Sequence, residues 1–164
     1  MSARQQLRVA VVAAVSVLAL LAAGLAAVAT ARVSHRHALD QARENAVAAA
    51  TSGVATVLSY DFNHLDADFH KAEGLLTPRF RKEYDKTTAA GVKPLAAKYK
   101  ARSSAQVSVA GSVSTSVDRV VVLVFVDQTV TNSQLAAPRL DRSRINVTLV
   151  KQGNRWLIDR LAPI

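Results

Sequence analysis

From Val9 to Ala31 the chain runs 23 positions without one charged side chain. At about 1.5 Å of rise per residue this is about 35 Å of helix, enough to cross a hydrocarbon core of about 30 Å with some tilt. A helix with no polar face has few other fates, because burying it would take a much larger protein around it. The run reads as a transmembrane helix over 9–31, following a tail over 1–8 that carries Arg4 and Arg8. A cleaved secretory signal is the rival reading, with Ala27-Val28-Ala29 or Ala29-Thr30-Ala31 as the small-residue cleavage site. The run outlasts the apolar centre of such signals, about 7–15 residues, and Arg32, His35 and Arg36 mark an abrupt return to water. Spanning is therefore the stronger expectation. Bases flank the run on both sides, so charge does not orient it, but a long domain translocates largely regardless of charge. The arrangement adopted has the amino terminus in the cytoplasm and the domain outside. Ala19, Ala23, Ala27 and Ala31 recur every four residues beside Gly24, a ridge of small residues on which another membrane helix can pack closely.

The remaining chain is the size of one domain with its own core. Residues 33–164 carry 18 bases against 12 acids, a balance that suits an anionic membrane surface or an acidic partner. The bases are scattered and aromatics are few, which argues against nucleic acid as a partner. With no cysteine, a disulfide framework, a thiolate metal site and a cysteine nucleophile are all excluded.

Beyond the span, residues 32–45 read as a juxtamembrane stalk and 46–164 as an extracytoplasmic α+β domain. A helical stripe of Leu39, Ala42, Ala46, Ala50, Val54, Val57 and Leu58 continues out of the membrane. A second helix covers about His64 to Leu76. Thr77-Pro78 supplies an N-cap and first-turn proline for a third, interrupted at Gly91 and Pro94. After Arg102 the period changes to alternation. Val107, Val109 and Val113 mark a first strand. The next, Arg119 to Thr131, is so rich in Val, Leu and Phe that both its faces are expected to be mostly covered. Strands from about Leu140 to Lys151 and from Arg155 to Leu161 follow, joined by a turn at Gln152-Gly153-Asn154. The expected domain is a four-stranded antiparallel meander wrapped around the helices.

Candidate chemistry is sparse. His64, Asp66, Asp68 and His70 look like a metal cluster, but alternate residues of a helix lie about 200° apart, so they form two pairs and no metal site is expected. Asp127 stands in an apolar strand on the face of Val121, Leu123 and Phe125, where burial would cost several kcal/mol, roughly, without a partner. It is either a general acid or base in a pocket, or the ion-pair partner of Arg142 or Arg144 on the next strand. No histidine follows His70 to complete a catalytic set, which favours the ion pair. Trp156 reads as a core aromatic closing the sheet. Tyr60 and Asp61 read as closing the first helix, with lining a pocket as the alternative. Asn146-Val-Thr148 matches a glycosylation triplet but falls inside a strand. Neither a catalytic residue nor a cofactor is expected.

The membrane helix, Val57-Leu-Ser-Tyr-Asp61, Leu65-Asp66, Leu75-Leu-Thr-Pro-Arg-Phe80, Val126-Asp-Gln-Thr-Val-Thr-Asn132 and Trp156-Leu-Ile-Asp-Arg-Leu161 together resemble the Mce-associated membrane proteins of actinobacteria. The resemblance spans nearly the whole chain. It implies a domain similar to the nuclear transport factor 2-like (cystatin-like) cone, the fold also used by an inner-membrane scaffold subunit of type IV secretion systems. It further implies an extracytoplasmic location and a non-catalytic accessory or stabilising role beside mammalian-cell-entry (Mce) complexes, which import lipids. The implied partners are Mce subunits or other membrane proteins and membrane lipid, with self-association left open. The same fold hosts enzymes, so two alternatives stand: a small-molecule-binding or enzymatic cone using Asp127, and a secretion-system-like membrane scaffold.

Overall fold

The computed structural model describes residues 3–164, with side chains described for Gly24 and from Thr30 onward. The proposed span over 9–31, with Ala19, Ala23 and Ala27 of its ridge, lies outside the described side chains. Among the described residues no helix is long and apolar enough to cross a membrane. Met1–Ala38 and Leu39–Ile164 are separate compact units. The first belongs to helix α1 (Ala3–Val57). There the Ser34 hydroxyl bonds back to the carbonyls of Thr30 and Ala31, each at 3.0 Å, which satisfies it within the helix.

In the second unit, the last turns of α1 place Ala42, Ala46, Ala50, Val54 and Val57 on one stripe, and all five are buried. They meet the inner face of a sheet in the order β1-β2-β3-β4-β5, each neighbour antiparallel. The strands are β1 (Tyr60–Asp61), β2 (Arg102–Thr115), β3 (Arg119–Thr131), β4 (Arg139–Gln152) and β5 (Arg155–Pro163). The sheet therefore has five strands rather than the expected four. The extra one is a two-residue piece that pairs Tyr60 with Ser103 and Asp61 with Arg102; so short a segment carries no alternation. It also corrects the expectation that Tyr60 and Asp61 close the first helix, which ends at Val57.

Val120, Val122, Val124 and Val126 of β3 and Ile145, Val147 and Leu149 of β4 form the core with α1, Leu76 and Ile158. Small side chains let the helix approach closely. A Cβ added at Gly53 would stand 3.0 Å from Cδ1 of Ile158. The other helices, α2 (Leu65–Glu73), α3 (Pro78–Thr87) and α4 (Lys93–Tyr99), lie between β1 and β2 in sequence. Thr77 caps α3 as its sequence predicts: its hydroxyl accepts from the N–H of Phe80 at 3.3 Å, and Pro78 follows. The interruption at Gly91 and Pro94 is a π-helical turn, Thr88–Val92, before α4 starts with Pro94 in its first turn.

The second face of β3 departs from expectation. Val121 and Leu123 are half-buried and Phe125 is 41% exposed, on a face where Val109 of β2 is 60% exposed. A run of apolar residues without alternation gives no sign of which face is open; here only the even-numbered side chains from Val120 to Val126 are sealed by α1.

Candidate functional site

The proposed site residues do not converge. Tyr60 stacks on Phe69 with ring centroids 5.7 Å apart, and Phe69 tilts against Tyr84 at 6.0 Å. Burial pushes the Tyr60 phenol above its ordinary value. The neighbouring Asp61 pairs with Arg102 at 3.2 Å and accepts from the backbone N–H of Asn63 at 2.9 Å. Trp156 is half-buried against the core and borders a hollow with Asn45, Ala49, Lys151 and Asn154. Asp127 and Arg144 lie together on the outer sheet face, beside a solvent-open hollow of about 700 Å³ that Ser108, Phe125, Arg142 and Ile164 also line.

This hollow is built from strand register. Asp127 faces Arg142 across the β3–β4 ladder and Phe125 faces Arg144. The ion pair forms between Asp127 Oδ1 and Arg142 Nε at 3.3 Å, so Arg142 is the partner and Arg144 is left without a side-chain partner among the described residues. Asp127 is 41% exposed at its side chain, not buried as its apolar strand suggested. The hollow offers guanidinium charge beside an aromatic ring, a combination suited to binding an acidic, partly apolar group.

The members of the His64–His70 cluster take separate partners, and the structure records neither a His64–Asp68 nor an Asp66–His70 side-chain pair among the described residues. Asp68 accepts from the backbone N–H of Asp61 at 2.8 Å, Asp66 pairs with Lys93 at 3.0 Å, and His70 lies 3.6 Å from Glu73. Among the described residues no three such side chains are placed to hold a metal ion.

A polar cluster unassigned by sequence reasoning joins two of the quoted segments. Asp159 of β5 accepts from the Thr77 hydroxyl at 2.8 Å, pairs with Arg79 at 2.9 Å, and has Arg119 at 3.9 Å. Arg79 also donates to the Asp159 carbonyl at 2.6 Å. Burial would raise the Asp159 carboxyl, but the bonds from Arg79 and Thr77 and the charges of Arg79 and Arg119 outweigh it and hold it below its ordinary value. Leu75 and Thr77 bond to Ile158 through backbone at 2.9 Å each way, so the segment before α3 is stitched along the edge of β5. The cue was available in Thr77-Pro78-Arg79 and Asp159-Arg160, but nothing in either segment alone says that they meet. Nearby, the Tyr84 hydroxyl donates to the carbonyl of Val57 at 3.0 Å. Burial pushes this phenol well up, with Glu73 and Asp85 adding to the effect.

A family model described as "Uncharacterized protein Rv1363c/MT1408-like" matches residues 8–161. A relative named Outer membrane protein Rv1973, from Mycobacterium tuberculosis, is 41% identical over 123 residues, which is 75% of this chain and 76% of the relative. Among solved structures, CagV, a VirB8 homolog of the type IV secretion system of Helicobacter pylori, superposes with a TM-score of 0.57 at 11% identity, covering 72% of this chain and 96% of that one. VirB8 of Agrobacterium tumefaciens gives 0.56 at 12% identity over 71% and 88%. At such identities the likeness is one of fold: helices on an antiparallel sheet, as in VirB8 and nuclear transport factor 2-like domains.

Proposed function

Because the chain belongs to the Rv1363c/MT1408-like family, with the domain fold of VirB8-type proteins, we propose that it is a non-catalytic, membrane-anchored scaffold subunit of a cell-envelope assembly. In this reading residues 9–31 are a single-pass anchor, 32–45 the stalk, and the domain stands outside the cytoplasm and holds partner subunits. The observation that carries it is the division of labour between the sheet faces. The inner face from Val120 to Val126 is packed with α1, leaving beyond it a hollow of about 500 Å³ lined by Tyr60, Leu95, Tyr99 and Val130, while the outer face stays open and bears charged and apolar groups suited to protein contact. The name of the Rv1973 relative supports a place in the envelope.

A second reading names the assembly as an Mce-type lipid importer, with this chain as an accessory, stabilising subunit. It is favoured by the joining of Leu75–Phe80 to Trp156–Leu161 through Thr77, Arg79 and Asp159, two of the segments on which that resemblance rests. Crosslinking in cells, followed by purification of the full chain in mild detergent and identification of its companions, tests both. Membrane-complex subunits in constant ratio are expected. Mce subunits would support the second reading and conjugation-type proteins a secretion-like assembly; a chain that purifies alone would sink the scaffold role.

A further inference from the structure

The outer sheet face is divided lengthwise. On the β2–β3 side it is apolar, with Val109 beside Phe125, Gly111 beside Leu123, and Val113 in the bulge next to Ser114, which faces Val121. Val109 and Val113 are 60% and 64% exposed. The irregularity between Val107 and Val109 shifts the alternation of β2 so that Val109 joins the face of Phe125, as bulges do when they re-aim a side chain, and the second, between Ser112 and Ser114, falls at Val113. On the β4–β5 side the face is basic. Arg144 stands across from Phe125, while Arg160 faces Thr148, which in turn faces Val121. Both arginines are exposed and have no side-chain partner among the described residues. The apolar row from Phe125 to Val121 is about 14 Å long at about 3.4 Å per residue, and an arginine flanks each end.

Gly111 is the informative position. Its φ is not in the left-handed region, and a Cβ there would meet nothing within 4 Å, so the fold itself does not require glycine. A glycine in mid-strand weakens the strand and often marks the close approach of another molecule. Here the missing side chain leaves a notch between the exposed Val109 and Val113.

We propose that this face is the docking surface for an amphipathic helix with an acidic edge, supplied by a partner subunit. The proposal rests on the scaffold reading and adds the surface and the chemistry of the partner. A ridge of apolar side chains at three- and four-residue spacing would sit in the notch at Gly111, and Asp or Glu along one edge would reach Arg144 and Arg160. Three other occupants fit less well. A second copy would bring the same arginines against a like-charged face, which is repulsive. A single anionic lipid head could neutralise one end of the row but not both, and a fluid bilayer surface has no use for a notch.

The test places a photo-crosslinking amino acid at Val109 or Val113 of the full chain in cells, and at Leu95 on the helical side as the control, and sequences the crosslinked peptide. Adducts from the two valines are expected to map to one segment of a partner subunit, with apolar residues three and four apart and acidic residues beside them. Their yield should fall at least tenfold in Gly111→Trp, which fills the notch, and in the double variant Arg144→Glu, Arg160→Glu. Adducts to lipid, to another copy of this chain or to a segment without acidic residues would overturn the proposal. So would their absence while the full chain still purifies with its companions, a result that leaves the scaffold role standing. If the companions are missing as well, both fail together.

Discussion

At the scale of single residues, the Thr77–Arg79–Asp159 cluster has measurable consequences. Removing the N-cap hydroxyl in Thr77→Ala should lower stability by about 1 kcal/mol, read as a shift in the denaturant midpoint. The same hydroxyl is a donor to Asp159, so the loss should be partly shared with Asp159→Asn rather than additive. The pH dependence follows from the carboxyl being held below its ordinary value. Its stabilisation is fully present above the unfolded value, about 3.9, and is lost as pH falls through the depressed folded value. In Asp159→Asn the acid limb of stability against pH should therefore be flatter than in the native chain below about pH 4; an unchanged acid limb would deny the carboxylate this role. The capping half of the cluster was legible from Thr77-Pro78, because an N-cap is a local rule. Its tertiary half was not, because Asp159 lies 82 positions away. Asp127 shows the opposite error. Its partner across the ladder could be narrowed to two arginines, but its burial could not be read from a strand whose preceding residues, Val120 to Val126, are all apolar.

At the scale of elements, strand ends marked by turns were readable: Arg119–Thr131 is where the continuous apolar run and its flanking polar residues put it. The two-residue β1 was not, since a strand of that length is defined by its partner β2 rather than by its own pattern. The contact between α1 and β5 was equally invisible, although Gly53 pointed to it by being a poor helix former inside a long helix. With Ile158 Cδ1 already 3.0 Å from an added Cβ, Gly53→Leu should overpack the interface and cost about 1–3 kcal/mol. Gly91→Leu, where a Cβ meets nothing within 4 Å, serves as the comparison and should cost less. Equal losses in thermal or denaturant unfolding would mean that the close approach is unimportant.

At the scale of the whole molecule, every core residue named among the described side chains lies between Ala42 and Ile158, so the Leu39–Ile164 unit contains a complete hydrophobic interior. Produced alone, it should unfold in one cooperative transition and stay in the supernatant, whereas the full chain should remain in the membrane pellet after an alkaline carbonate wash. A full chain released by the wash would contradict the single-pass anchor. Under the proposed anchoring, copies would meet their neighbours at high local concentration, confined to two dimensions, where sheets with exposed rims are prone to join into ribbons. Here the segment before α3 occupies the edge of β5 at Ile158. β2 is covered by β1 only at Arg102 and Ser103, but its two bulges break the even spacing of donors and acceptors that an incoming strand would need. Crowded copies would thereby be steered away from linear polymers, which leaves the apolar sheet surface for the partner proposed above.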